Sequence, residues 1–375
     1  MKNIEYTMYR DILMEGFDGK MCRISPEAFR TPDGRMHISY TMLQLSGSDV
    51  FHDRYVISSS DGGATFSEPH LFNGLPETNE NGIRRVYALR AHYHEHSHSN
   101  YAIGRISSYA DESMPILKGR DTMRAIAGTF DAENMRFGDC EVLIPPGTEA
   151  LDNLTFMEPL EKEDGTVLIP AYGRPGDRAQ HEVIVFRFAV EGGRLRFIEC
   201  GPSIQRPDLR RGLDEPRLAR LGDTWYLTMR SDETAWLSKS RDGLHFSEPT
   251  EWRWDDGETL TSRNTQQAWL SHPDGLFLVY TRETPHNWHI FRRRAPLFIA
   301  RFDEDRDCLV KETEFIAVPE MGARLGNFTV TTMKENEAWI CVSEWMQTTG
   351  PDFANSSRCV RYGANNRLWR VRITW

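Results

Sequence analysis

The chain has 375 residues and carries 55 acidic against 45 basic side chains, a net charge of −10. That balance excludes an overall basic footprint for nucleic acid, and no run approaches the roughly eighteen apolar residues of a membrane helix, so neither partner is expected. The six cysteines are scattered with no C-x-x-C pair, which reads as reduced, buried thiols.

Taken in chain order, residues 1–20 carry no clear repeat unit. They also lack the charged-then-apolar layout of a secretory signal, so a cytoplasmic location is expected. From there a phrase recurs, a polar turn followed by a strongly apolar strand. Its turns fall at Asp33, Asn100, Asp164, Gly222, Asp274 and Asn336, at gaps of 67, 64, 58, 52 and 62 residues. Short strands and turns at such a period are what the blades of a β-propeller require, and six units predict six blades in one domain spanning residues 1–375. The last stretch, 366–375, alternates like a strand, and the two termini are expected to share a blade.

A second phrase appears twice. Ser59-Ser60-Asp61-Gly62-Gly63-Ala64-Thr65-Phe66 and Ser240-Arg241-Asp242-Gly243-Leu244-His245-Phe246 are each followed by Ser-Glu-Pro. Asp and Gly form a tight turn, the hydroxyls can bond local backbone and the aromatic can anchor it. These phrases predict the outer hairpins of the first and fourth units. The polar stretch 105–121 reads as an insertion at the rim.

Equivalent positions of each unit should meet on the central channel. Before the turns the inner strands bring Glu27, Glu158, Glu215, Gln266 and Asn327, while the second unit brings His92 to His98, with His94 among them. After the turns, four apolar strands end in Arg105, Arg174, Arg230 and Arg282. A ring of carboxylates and amides facing a ring of arginines would suit a carboxylate ligand, which the planar guanidinium grips with two prongs. The alternative is that these arginines and glutamates bridge one another structurally. The alternating histidines 92, 94, 96 and 98 share one strand face, where a metal is conceivable, but no metal or other cofactor is expected.

These residues resemble the sialidase (neuraminidase) superfamily of six-bladed, Asp-box-bearing propellers, nearly end to end but closely only in patches. Arg23, in Arg23-Ile24-Ser25-Pro26, resembles the first of three arginines that clamp the substrate carboxylate. The stretch 214–249 is the best match, and by it Glu215 implies the glutamate that assists the nucleophile and Arg230 the second clamp arginine. The third falls in Phe291-Arg292-Arg293-Arg294, with Arg294 preferred and Arg282 and His289 nearby. The family's acid/base aspartate corresponds to Asp53 or Asp49, with Asp53 leading. Where the family places a tyrosine nucleophile this chain has Phe328, which has no oxygen to attack with. The resemblance therefore implies a relative with altered chemistry.

Three readings follow from the residues. The first is a glycoside hydrolase on a small acidic oligosaccharide or glycoside, using Glu215, Asp53 and Glu158 with water as attacker. The second is β-elimination from a uronic acid, with a His or Tyr as base. The third is a sugar-binding propeller without catalysis, leaning on tryptophan platforms.

Overall fold

The computed structural model describes residues 4–47, 49–72, 77–110, 123–176, 178–348 and 354–375; residues 111–121 of the expected rim insertion lie outside them. Its strands form six antiparallel sheets arranged as a six-bladed β-propeller. Blade 1 runs from the inside outwards as Met21–Arg30, Met36–Gln44, Val50–Ser59 and His70–Leu71. Blade 4 repeats this with Asp214–Leu221, Thr224–Arg230, Ala235–Ser240 and Thr250–Glu251. In blade 6 the chain's first strand, Thr7–Met14, pairs with its last, Leu368–Thr374, outside Glu337–Ser343 and Thr329–Lys334. That pairing stitches the two ends of the chain into one sheet.

Each blade is covered on both faces by its neighbours, so its middle strands are apolar without alternation: all six residues of Gly275–Tyr280 and all seven of Glu337–Ser343 are buried. The core is correspondingly divided into clusters that lie between blades. Trp252, Trp269 and Phe302 interlock between blades 4 and 5, with ring centroids 5.4 to 5.5 Å apart. Each such side chain contributes about 1.5–3 kcal/mol by leaving water.

The two Asp-Gly phrases turn the outer hairpins of blades 1 and 4. Asp61 accepts from the backbone N–H of Ala64 at 3.0 Å and of Thr65 at 2.9 Å, and from the Thr65 hydroxyl at 2.6 Å. Asp242 accepts in the same way from Leu244 and His245. Gly63, at φ 89°, lies so close to Trp339 that a Cβ there would come within 2.5 Å of the indole. The phrase thus presses its turn against the neighbouring blade.

The inner strands are interrupted where the sequence places proline. Register shifts fall between Ile24 and Glu27 in blade 1 and between Asp214 and Arg217 in blade 4, and Ser25 (φ 47°) and Glu215 (φ 46°) occupy the left-handed region before Pro26 and Pro216. A bulge of this kind re-aims one side chain, at a conformational cost that surrounding contacts must offset. Here it turns Ser25 and Glu215 into the central cavity.

Candidate active site at one end of the propeller axis

All six blades line a central cavity of about 160 Å³. Around its waist runs a closed belt of polar contacts. Arg54 bonds Glu27 (2.9 Å), Arg90 reaches both Glu27 (3.3 Å) and Glu158 (3.1 Å), and Arg217 pairs with Glu158 at 2.5 Å. Arg217 also donates to Gln266 (3.2 Å), Gln266 to the Phe328 carbonyl, and Thr329 to the Pro26 carbonyl (2.8 Å), which returns to blade 1. Burial alone would raise the Glu158 carboxyl, but Arg217 and Arg90 outweigh it and hold the pKa below the ordinary value. Glu158 is therefore a fixed anion joining three blades. Its two arginine partners work against the proton-donor role considered from sequence.

Above the belt, the loops before and after the blade strands assemble a second layer. Glu215 pairs with Arg230 through two contacts, Nε to Oε2 at 2.6 Å and Nη2 to Oε1 at 3.2 Å. Burial opposes ionisation of Glu215, and Arg230 and Arg294 overcome it, so the carboxyl stays below its usual pKa. Arg230 also faces the buried Asp214 at 3.4 Å and donates to the Asn264 side chain. Asp214 contacts the His181 ring, which packs edge-on against Tyr172 at 5.7 Å. Tyr172 lines the cavity with Glu215; burial, then the charges of Glu215 and Asp214, raise its phenol and keep it neutral.

Three further arginines close this end. Arg294 is buried and donates to the Asn264 carbonyl, while its Nε has no hydrogen-bond partner among the described residues. Arg324 is buried, donates to Gln347 at 2.5 Å and stacks over the Trp345 ring at 3.4 Å. Arg292 stands exposed at the rim, in the left-handed region at φ 53°. None of these three pairs with a carboxylate of a described residue within ion-pair distance. Burial, followed by repulsion from Arg324, Arg230 and Arg292, pushes Arg294 well below the ordinary arginine pKa. Arg324 is lowered to about 9, by burial first and by Arg292, with Asp49 acting in the opposite sense. Asp49 and Asp232 likewise oppose the drop at Arg292, as Glu215 does at Arg294.

The residues expected from sequence thus divide. Glu215, Arg230, Arg294 and Asn327 meet at or beside the cavity, with Asn327 donating to Ser25 at 3.3 Å. Arg23 does not join them. Ile24 and Ser25 take the cavity side, and the Arg23 guanidinium turns to blade 6, bonding Gly16 and Asn366 at 3.1 Å. Asp53 also faces away, because strand alternation gives the inward position to Arg54; burial and the negative charge of Glu77 raise its carboxyl. Arg282 is held bidentately by Glu314 at 2.7 and 2.5 Å between aromatic rings, and Arg174 pairs with Asp152 at 3.7 Å. Both are the structural bridges that the sequence left as an alternative. His94 lies at the opposite end of the channel, between Ser97 (2.6 Å) and the Gly165 carbonyl (2.9 Å). His289 is near the arginine end but is taken up by Glu320 at 2.8 Å. Phe328 is buried in the cavity wall, as a residue without a hydroxyl.

Sequence reasoning missed Arg324 and Tyr172. Arg324 sits just ahead of the last inner strand, outside the strand-end pattern that drew attention to the other arginines. Tyr172 stands two residues before Arg174 at the same strand end, where the arginine took the attention.

Neither a family model nor the sequence of a curated protein matches this chain. Solved structures do match its fold. A protein of unknown function from Dyadobacter fermentans superposes with a TM-score of 0.59 at 12% identity, covering 97% of each chain. The NanB sialidase of Streptococcus pneumoniae gives 0.62 at 9% identity over 97% of this chain and 70% of its own. An α-L-arabinanase of Penicillium chrysogenum gives 0.51 at 10% identity over 98% of both. The chain has a six-bladed propeller fold like that of solved sialidases, at 9 to 13% sequence identity.

Proposed function

We propose that this protein is a glycoside hydrolase that removes a carboxylate-bearing sugar from a small glycan. One observation carries the reading: Arg292, Arg294 and Arg324 converge at one end of the axis without carboxylate partners, two of them buried. Buried charge left unpaired is costly, and an anionic ligand is the natural partner for three guanidiniums with free donors. Arg230 holds Glu215 ionised beside them, where it can stabilise positive charge developing on the sugar ring. Asp49 takes the part of the acid, since it is the other aspartate that the resemblance offers and Asp53 faces away from the cavity. With Phe328 in the wall, water is the attacking group.

A second reading, elimination from a uronic acid, is favoured by Tyr172, a hydroxyl on the cavity wall close to Glu215. One screen separates the two. The protein is incubated with aryl glycosides and short oligosaccharides of sialic, glucuronic and galacturonic acid, following both released sugar and the ultraviolet absorbance of a new conjugated double bond. Release without absorbance, abolished in Glu215→Gln, is the expected result. Absorbance growth lost in Tyr172→Phe would replace hydrolysis by elimination. No turnover with acid sugars still binding would leave a sugar-binding propeller.

A further inference from the structure

Beside the arginine cluster, and opening from it, lies a groove of about 320 Å³ between the loop that follows the strand Gly275–Tyr280 and the short helix Ser357–Arg361. Its lining includes Arg263, Arg292, Arg293, Arg324 and Arg358, and no aspartate or glutamate among the described residues. In a chain with ten more acids than bases, five arginines around one groove run against the composition. Arg358 is exposed and makes no ion pair with a described residue, and Arg293 comes only within 3.9 Å of Glu283. Arg263 is the one closely paired, to Glu283 at 2.6 Å.

The same groove holds Trp288, which is 63% exposed, more than any other large apolar side chain described. It is not loose. Trp288 packs edge-on against His289 at 5.8 Å, His289 stacks on Tyr362 at 4.0 Å, and Glu320 fixes the imidazole. An indole braced from behind and open to solvent is a surface on which a sugar ring stacks.

We propose that this groove is a second anion-binding subsite, which receives the sugar unit next to the one at the cavity when that unit bears its own carboxylate or sulfate. Trp288 stacks on the ring, and Arg358 with Arg293 meets the charge. Arg292 and Arg324 line the groove and belong to the arginine cluster, so the two subsites adjoin. The preferred substrates are then glycans with acidic groups on consecutive units. This rests on the reading of the arginine cluster as a carboxylate site.

Calorimetry tests it with galacturonic acid, its α1,4-linked dimer, and a uronyl–hexosamine disaccharide with and without a 6-sulfate. The dimer or the sulfated disaccharide should bind at least tenfold more tightly than galacturonic acid, and whichever gains more identifies the second group as carboxylate or sulfate. Arg358→Ala should remove most of that gain while leaving galacturonic acid within twofold of wild type. Trp288→Ala should weaken every two-unit ligand, including the unsulfated one. If the second acidic group adds no affinity while galacturonic acid binds, the subsite is overturned and the cavity reading stands. If Arg358→Ala weakens galacturonic acid equally, the groove is part of the first site and the proposal fails. If no acid sugar binds at all, both readings fall.

Discussion

Replacing Arg294 by methionine separates a ligand site from a structural one, because the two make opposite predictions for the empty protein. Two unit charges about 6 Å apart in an effective dielectric of about 20 repel by about 3 kcal/mol. Arg294 has Arg230, Arg292 and Arg324 as cationic neighbours and Glu215 as the opposing charge, so at least one such repulsion is left uncancelled. Against its relief stands the loss of the hydrogen bond to the Asn264 carbonyl, about 1.5–3 kcal/mol for a charged donor. The buried Nε contributes nothing, having no partner among the described residues. Methionine fills most of the space against Gly326, so the cavity penalty is small. The balance lies between neutral and about 1.5 kcal/mol in favour of the variant. At roughly 2 cal/mol/K of unfolding entropy per residue, 1 kcal/mol is about 1 °C in Tm for a chain of this length. Scanning calorimetry should therefore find Arg294→Met as stable as wild type or up to about 2 °C higher. The rise in Tm that acid sugars give wild type should vanish, with Kd weakened by at least about 30-fold, the cost of truncating a buried charged contact. A fall of more than about 5 °C, with acid-sugar binding intact, would refute the argument and make Arg294 a structural strut.

Two other substitutions test neighbouring assignments. Asp49→Asn should lower kcat by about 10²–10⁴-fold while Asp53→Asn stays near wild type; the reverse order would restore Asp53 as the acid. Glu158→Gln should cost about 3–5 kcal/mol by leaving Arg90 and Arg217 facing each other unpaired. Because the Glu158 pKa is depressed in the folded protein, its contribution is present above the ordinary carboxylate range and is lost as pH falls through the folded value. Urea titrations between pH 7 and pH 3 should therefore show the variant's deficit shrinking towards acid; a deficit independent of pH would contradict the assignment.

The fold was legible because a propeller repeats its instructions. Six polar turns before apolar runs fix the blade count, and the Asp61 and Asp242 phrases lock outer hairpins through contacts made within a few residues. Such local signals survive without knowledge of the rest of the chain. The site was legible only in part, since it depends on which way a side chain turns at the end of a strand. Glu215 was foreseeable from its place before the fourth turn and from the resemblance of 214–249, and a bulge at Pro216 aims it inwards. Arg23 was not: it lies on the inner strand, yet the bulge that begins at Ser25 leaves its guanidinium facing Asn366.

The strand-end arginines show why the same residue type at the same place in the repeat takes different roles. Arg282 and Arg174 have carboxylates within reach, Glu314 and Asp152, and are satisfied there. Arg230 finds Glu215 and Asp214 and becomes the link between the propeller and the cluster. Arg105 lines the cavity without an ion pair to a described residue, over the Phe51 ring at 5.3 Å. The partners come from the same blade, Asp152 and Asp214 from the register position directly opposite their arginine on the neighbouring strand, and the arginine's own strand does not announce them. What distinguishes a bridging arginine from the others is thus an acid within ion-pair distance, a property of the assembled propeller. Arg294 and Arg324 make no ion pair with a described residue, and they lie on loops between strands, where the repeat imposes no pattern to read.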